Sequence, residues 1–236
     1  MTEELFRQDA YLKECTATVL AAGAEGIVLD RTVFYPTGGG QPGDIGTLQA
    51  ADGRIVTIAD TRKGPDGIRH IPAPGQPELS PGDRVTAAID WARRHRHMRM
   101  HSCLHLLSAV VAGGVTGGQV AADKGRLDFD LAELSLTKEE ITAEIAAMIA
   151  ADRPVAARWI SEAELDAQPD LVRTMSVQPP RGAGRIRLIE IEGTDLQPCG
   201  GTHVARTGEI GQVLVSKIES KGKRNRRIVI SFADAP

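Results

Sequence analysis

The chain has 236 residues, of which 42% are apolar and 25% charged, and its net charge is −3. This composition is ordinary for a folded globular protein and excludes collagen, coiled coil and intrinsic disorder. With only eight aromatic residues and a slight excess of acid, the chain is unlike proteins that stack successive bases or coat nucleic acid with a uniformly basic surface. Any contact with nucleic acid must therefore come from a local patch.

The N-terminus and the cysteines predict a reduced, cytoplasmic protein. The first residues are charged and lack the apolar core of a signal peptide. The longest apolar stretch, residues 106–115, is too short and too rich in glycine to cross a membrane. Cys15, Cys103 and Cys199 are odd in number and far apart, so we expect free thiols and no membrane partner.

Residues 1–90 carry the pattern of a small β-barrel or curled sheet. Short runs with β-branched residues alternate there with stretches rich in glycine and proline. The expected strands are 16–19, 26–34, 54–59 and 83–90. The expected turn regions are 36–46, 63–67 and 72–82.

Residues 91–236 have the pattern of an α+β domain with an antiparallel sheet. Apolar spacing predicts a helix over 91–112 that ends at Gly113 and Gly114, and a capping box of Thr137 and Glu140 begins a second helix. The further expected elements are a strand at 155–160, a short helix at 162–168, a strand at 186–191 and a hairpin of 212–218 with 227–232. The whole chain is therefore predicted to be α+β, with domains 1–90 and 91–236.

Two pairs of potential metal ligands stand out. His101 and His105 are four residues apart, which places both on one face of a helix; alone, such a pair is more often ordinary helix sequence than a metal site. The second pair is Cys199 and His203, in a glycine-rich turn that equally suits a buried cysteine beside a surface histidine. Together they make a set of three nitrogens and one sulfur that suits Zn²⁺. No carboxylate near His101 or Cys199 in sequence is an obvious general base.

A third motif runs from Phe34 to Asp44 and contains three consecutive glycines. It lacks the lysine and the helix of a phosphate-binding loop, so it is either a plain turn or the wall of a pocket. Two basic clusters could contact phosphates or could be solvated surface. One precedes the predicted metal helix and includes Arg93 and Arg94; the other contains Lys221, Lys223, Arg224, Arg226 and Arg227.

The ordered motifs FYPTGGGQ, HSCLHLL and PCGGTH resemble the free-standing alanyl-tRNA editing proteins, the AlaX family, of medium length. Those proteins are similar to the editing domain of alanyl-tRNA synthetase. The resemblance implies a small barrel followed by an α+β editing core, with zinc on His101, His105, Cys199 and His203. It also implies hydrolysis of tRNA for alanine that carries serine, or in some members glycine, with no nucleotide cofactor.

The same resemblance suggests where the substrate lies. Serine and alanine differ by one hydroxyl, so a pocket that rejects alanine must hydrogen-bond that hydroxyl. The substrate-binding candidates are Thr37, Gly38, Gly39, Gln41 and Gln119, with Thr37 favoured as the hydroxyl's partner. Cys103 departs from the family pattern, and we expect a thiol there to compete for metal or to oxidise.

Two other functions fit the residues. A structural-zinc module would bind RNA without catalysis, and a zinc hydrolase of small esters or amides would ignore tRNA. The chain is too short to hold an adenylate-forming domain besides this core, which excludes a complete alanyl-tRNA synthetase.

Overall fold

The computed structural model describes residues 2–174, 182 and 184–233. The chain divides into two compact units, Met1–His95 and Arg96–Pro236. The division inferred from sequence, 1–90 and 91–236, stays a prediction about domains.

The first unit is built around a closed β-barrel, which confirms the fold predicted for it. Its elements are β1 (Glu3–Glu4), α1 (Leu5–Gln8), β2 (Glu14–Gly23), β3 (Gly26–Leu29), β4 (Arg31–Thr32), β5 (Gly46–Ala50), β6 (Ile55–Gly64), β7 (Gly67–Pro72) and β8 (Arg84–Ile89). The barrel order is β2-β3-β7-β6-β5-β8, with antiparallel pairing throughout. Strands β1 and β4 form a separate parallel pair.

Side chains alternate between the two faces of each strand, and those that point inward fill the barrel. In β6, Val56 and Ile58 are buried while Ile55 and Thr57 face outward, as a period of two requires. The strand extends to Gly64, and residues 65 and 66 connect it to β7, which the sequence analysis missed. That strand starts at a glycine with φ of +144° and ends at a proline, so its ends look like turn sequence.

The second unit contains two antiparallel sheets and most of the long helix. Its elements are α2 (Trp91–Val110, which starts in the first unit), β9 (Gly114–Val120), β10 (Lys124–Asp130), α3 (Lys138–Ala150), β11 (Val155–Ser161), α4 (Glu162–Asp166), β12 (Arg185–Ile191), β13 (Asp195–Pro198), β14 (Val213–Ser220) and β15 (Asn225–Phe232), with short 3₁₀ turns at Pro169–Leu171 and Thr207–Ile210. The sheet orders are β14-β15-β10-β9 and β11-β12-β13.

The helices begin where the sequence predicts. Thr137 and Glu140 form both hydrogen bonds of the capping box at the start of α3, and the buried residues Ile141 and Ile145 face the core. Among the described residues, no helix has the length and apolar character needed to span a membrane.

Strands β9 and β10 were not predicted because glycines hide them. A side chain at Gly125 would place its Cβ only 2.8 Å from the sulfur of Met100 on α2, so glycine there permits the helix to pack closely on the sheet. The bulge between Asp128 and Phe129 further breaks the alternation from which strands are recognised.

Candidate functional site

Four side chains predicted to be metal ligands converge in the second unit. His101 and His105 lie on one face of α2, and Cys199 and His203 lie on the loop after β13. Their ligand atoms are all within 4.8 Å of one another. The Cys199 sulfur is 3.5 Å from Nε2 of His101 and 3.2 Å from Nε2 of His203. The cluster is nearly closed to solvent, since the three histidines are at most 7% exposed.

Polar neighbours contact the Nδ1 atoms of two of these histidines, which point away from the cluster. Nδ1 of His105 lies 2.8 Å from the Asp195 carboxylate, and the Gln197 amide donates to that same carboxylate at 2.7 Å. Nδ1 of His203 lies 3.1 Å from the Ser102 hydroxyl. Both rings are thereby oriented with Nε2 toward the centre of the cluster, as the outer partners of metal-binding histidines do.

The electrostatics of the cluster favour an ionised thiol. Burial opposes charge on Cys199, but electrostatic interactions and hydrogen bonds with the surrounding imidazoles outweigh it, so the pKa of this thiol is well below its usual range. Burial also lowers the pKa of His105, yet hydrogen bonds to Asp195 and Cys199 raise it to about 9. Burial and the charge of His101 hold the pKa of His203 well below its usual value. A thiolate beside a protonated imidazole is a donor set in which a cation can replace the proton.

The donor set fits Zn²⁺. Ligand atoms about 2.0–2.3 Å from a tetrahedral zinc are separated from each other by roughly 3.3–3.8 Å. The two nitrogen–sulfur distances here, 3.2 and 3.5 Å, are close to that range, and all four ligand atoms lie within 4.8 Å of one another, so small side-chain rotations would complete the tetrahedron. One thiolate with three imidazoles also matches the ligand preference of zinc.

The sequence analysis missed Asp195, a carboxylate that lies beside the cluster without being an obvious general base. Asp195 precedes Cys199 by four residues, and strand alternation in β13 places Asp195 and Gln197 on the face that meets His105. Its other oxygen lies 3.7 Å from the Arg173 guanidinium. The carboxylate is therefore an orienting group and not an exposed base.

Cys103 does not behave as the sequence suggested. Its side chain is fully buried on α2, and this burial raises the pKa of the thiol to about 12. It is not a member of the ligand cluster in the described part of the chain. The thiol is therefore protonated and shielded, so the expected competition for metal is wrong.

The glycine-rich motif of the first unit forms a tight turn. Gly38 and Gln41 exchange backbone hydrogen bonds at 3.1 and 3.0 Å, and Gly39 and Gly40 between them both have positive φ. Two consecutive positive φ values are typical of a type I′ turn, where glycine is favoured. The Tyr35 hydroxyl donates to the Gly38 carbonyl at 2.8 Å and braces the turn.

The other substrate-binding candidates differ in their surroundings. The exposed Thr37 uses its hydroxyl to accept from the Gly43 amide at 2.8 Å, and it faces the Asp60 carboxylate at 3.5 Å. Gln41 is buried, whereas Gln119 is exposed on β9 and accepts from Arg126 at 3.2 Å. Their roles toward a substrate stay predictions.

The two arginines at the start of α2 already make contacts within the protein. Arg94 is fully buried, pairs with the equally buried Asp44 and donates to the Val33 carbonyl at 2.7 Å. Its guanidinium has no surface left for a phosphate, so Arg94 is removed from the predicted tRNA contacts. Arg93 donates to the Gly43 carbonyl at 2.7 Å.

The basic cluster on the β14–β15 hairpin lies at the surface. Arg224 and Arg227 pair with Asp130 and Asp128 on β10, while Lys221 pairs with Glu219. Arg226 donates to the Gly222 carbonyl at 2.9 Å, and Lys223 is exposed. The charges are partly neutralised by neighbours but remain accessible, and their contact with tRNA stays a prediction.

Two family models match the chain. Residues 186–229 match the threonyl and alanyl tRNA synthetase second additional domain, a range that includes Cys199 and His203. Residues 6–93 match the model of class II (A) tRNA synthetases.

Curated relatives match over nearly the full chain. Alanyl-tRNA editing protein AlaX-M of Methanosarcina mazei is 39% identical, covering 99% of this chain and 98% of the relative. The AlaX-M protein of Saccharolobus solfataricus is 32% identical over 97% of this chain. Alanine–tRNA ligase of Sulfurisphaera tokodaii is 38% identical over 92% of this chain, which spans 25% of that longer protein.

Proposed function

The chain belongs to the AlaX-M alanyl-tRNA editing proteins, and from this membership we propose that it hydrolyses the ester of tRNA for alanine that carries serine, and glycine more slowly. The observation that carries the proposal is the buried cluster of His101, His105, Cys199 and His203, with two of its rings held by Asp195 and Ser102. The three cysteines are free thiols, which suits a reaction in the reducing cytoplasm.

Zinc is the proposed cofactor, held by those four side chains. A bound zinc ion supplies a Lewis acid that orients polar groups and polarises a carbonyl oxygen. The aminoacyl ester is already activated, so positioning of its carbonyl and exclusion of competing nucleophiles provide much of what hydrolysis needs.

The residues around the cluster prepare it for this role. The acceptor Asp195 keeps a proton on Nδ1 of His105, and Ser102 orients the ring of His203, so that Nε2 of each ring faces inward without reorganisation. One oxygen of Asp195 contacts His105 and Gln197, and the other is buried without a hydrogen-bond partner among the described residues, 3.7 Å from the Arg173 guanidinium. Asp195 is buried and one of its oxygens already contacts His105, so we assign the proton relay to the vicinal ribose hydroxyl of the terminal nucleotide. This hydroxyl would accept a proton from the attacking water and pass its own proton to the leaving ribose oxygen.

Substrate recognition is proposed for the residues that the sequence analysis selected. Thr37, Gly38, Gly39 and Gln41 of the glycine-rich turn, together with Gln119, are proposed to contact the aminoacyl group, with Thr37 as the partner of the serine hydroxyl. The hairpin residues Lys221, Lys223, Arg224, Arg226 and Arg227 are proposed to contact phosphates near the acceptor end of the tRNA. Arg93 is a weaker candidate, since its guanidinium already holds a backbone carbonyl.

The test is deacylation of tRNA for alanine charged with serine, glycine or alanine, before and after treatment with a chelator. We expect serine release that the chelator abolishes and added zinc restores, with little release of alanine. His105→Ala should remove both bound zinc and activity. Cys103→Ala is the matched control for Cys199→Ala, because it removes a thiol from the same unit without touching the ligand set.

The competing functions give different results in the same experiment. Zinc retained at four ligands without release of any amino acid would favour an RNA-binding module. Release from free aminoacyl esters that excess uncharged tRNA leaves unchanged would favour a hydrolase of small esters.

A further inference from the structure

Trp159 is an aromatic side chain that is half exposed and not buried in an apolar core. It lies on β11, the outer strand of the sheet β11-β12-β13, and 49% of its surface is exposed. Only eight aromatic residues occur in the chain, and in its described part Trp159 is the one aromatic among the large apolar side chains that face solvent. An exposed indole is suited to contact a ligand because it combines a large apolar face with a polar N–H group, and its position decides which ligand.

The strand register aligns Trp159 with the metal cluster. Trp159 on β11 lies opposite Arg187 on β12. The next strand continues the row, since Leu188 pairs with Pro198 and the Cys199 amide donates to the Arg187 carbonyl at 3.1 Å. Trp159, Arg187 and Cys199 are therefore neighbours across three strands. Two strand spacings of about 4.8 Å put Trp159 roughly 10 Å from Cys199 along this row.

The row lies on the face of the sheet that meets the cluster. Asp195 and Gln197 alternate with Cys199 along the chain and contact His105, so odd-numbered residues of this segment face the cluster. Directly paired residues share a face, which extends the same side through Arg187 to Trp159. The opposite face carries Ile186 and Leu188 and forms a separate apolar core with Ile160.

Arg187 ties this row to the ligand loop. Its guanidinium donates to the carbonyl of Cys199 at 2.8 Å and to that of Gly201 at 2.9 Å. Two residues before Trp159 on the same strand and face of the sheet, the small and exposed Ala157 adds little cover to the indole. A single ring between a small residue and a guanidinium offers a surface the size of one planar ligand, far less than a protein interface requires.

We propose that Trp159 stacks on the base of the 3′-terminal nucleotide of the tRNA while the ester on its ribose lies at the cluster. This inference rests on the proposed function. The ester and the base of an aminoacylated terminal nucleotide are separated by one ribose ring, which fits a row of two strand spacings. Stacking reads the face of a base and not its edges, so the site holds the terminal nucleotide in place without selecting sequence.

Fluorescence tests the contact without any requirement for hydrolysis. The chain has two tryptophans, and Trp91→Phe leaves Trp159 as the only one. The probe is an uncharged RNA minihelix ending in CCA, compared with one whose terminal nucleotide is abasic. We expect the CCA minihelix to quench Trp159 and the abasic one to leave its emission unchanged. In the matched variant Trp159→Phe, the remaining Trp91 should not respond to either RNA.

Kinetics supply the second measurement. Trp159→Ala should raise KM for seryl-tRNA by about tenfold or more, equivalent to about 1.4 kcal/mol or more, with little change in zinc content. Trp159→Phe should have a KM for seryl-tRNA close to that of the parent, because phenylalanine keeps an aromatic face. About half of the Trp159 surface is buried, so unfolding temperatures are measured beside the kinetics, and Trp159→Phe, which keeps an aromatic ring, should unfold near the temperature of the parent.

The outcomes separate this inference from the proposed function. Normal deacylation with no effect of Trp159→Ala and equal quenching by both minihelices would overturn the stacking site and leave the editing function standing. Quenching that depends on the terminal base, in a protein that deacylates no tRNA, would support the site and overturn the editing function. A change in Trp159 emission that follows protein concentration without RNA would assign the residue to a contact between copies and overturn the proposal.

Discussion

Nδ1 of His105 and the carboxylate of Asp195 lie 2.8 Å apart although 90 residues separate them along the chain. The contact joins helix α2 to strand β13 and fixes which nitrogen of His105 faces the other ligands. An oriented imidazole loses less freedom when it binds a metal, and the negative charge behind it strengthens its donor nitrogen.

Asp195→Asn should weaken zinc binding by about 10- to 100-fold. Asparagine keeps the size of the side chain and can still accept from Nδ1, so the weaker binding reports the missing charge. Competition with a chromophoric chelator measures the affinity directly. The control is Asp170→Asn, which neutralises an exposed carboxylate of the same unit. Equal zinc affinity in the parent and Asp195→Asn would show that the carboxylate only fills space.

The metal ligands were predictable from sequence, whereas their supports were not. Four residues of two rare types, histidine and cysteine, in two pairs with a spacing of four are recognisable because zinc chemistry restricts which side chains can serve. Asp195 and Ser102 are common residues whose importance depends on the ring that each one meets. Strand alternation before Cys199 was the available signal for Asp195, and no local pattern marked Ser102.

The fold was likewise predictable only where a local sequence pattern is clear. Clear alternation in β6 and the capping box of α3 were visible in the sequence, while β7 and β9 were hidden by glycine and proline. Arg94 stands in a basic cluster that looks like surface, but its partner Asp44 lies 50 residues away and the pair is buried. Burial of such a charge depends on a distant residue, which local sequence cannot indicate.

His70 should make the first unit sensitive to mild acid. Its ring is fully buried, with Nδ1 3.0 Å from the Ile27 carbonyl and Nε2 2.8 Å from the Thr32 hydroxyl. Burial, only partly opposed by the hydrogen bond to Ile27, lowers the pKa of His70 to about 4. Between pH 6.5 and 4 the unfolded chain binds a proton that the folded unit does not, so stability falls as the pH falls. The full loss is about 3 kcal/mol, and almost none of it occurs above about pH 7.5.

Urea unfolding of the parent and His70→Gln at several pH values tests this dependence. Trp91 packs against the barrel core, so its emission in a Trp159→Phe background reports on the first unit. We expect the stability of the parent to decline relative to His70→Gln as the pH is lowered from 6.5 to 4. Parallel curves for the two proteins would mean that His70 titrates normally in the folded state.

The charges of the β14–β15 hairpin should determine how tRNA binding depends on salt. Neutralising Arg224, Arg226 and Arg227 to glutamine should weaken binding equally for every amino acid carried, because phosphates carry no information about it. Each phosphate that the variant no longer neutralises should reduce the log–log salt slope by roughly 0.7–0.9. Filter binding over a salt series measures the slope.

Two further variants separate charge from hairpin structure. Arg226 also holds backbone carbonyls of the hairpin, so Lys221→Gln with Lys223→Gln tests charge without that anchor. Arg158→Gln is the control, since it removes an exposed arginine paired with Glu190 on another sheet. A salt slope that stays the same in both hairpin variants would make this cluster a solvated turn.

Thr37 should discriminate serine from glycine if its hydroxyl meets the substrate. Thr37→Val keeps the shape and removes the hydroxyl, so the barrier to deacylation of seryl-tRNA should rise by on the order of 1–3 kcal/mol while glycyl-tRNA is nearly unaffected. The structure adds a second consequence, because the Gly43 amide donates to this hydroxyl at 2.8 Å and would have no acceptor in the variant. Damage to the turn alone would slow both substrates equally. Thr37→Ser separates the two effects, since it keeps the hydroxyl and should retain both the turn and the preference for serine. Single-turnover rates with the two charged tRNAs provide the comparison, and an equal decrease for serine and glycine in Thr37→Val would leave Thr37 a residue of the turn and not of recognition.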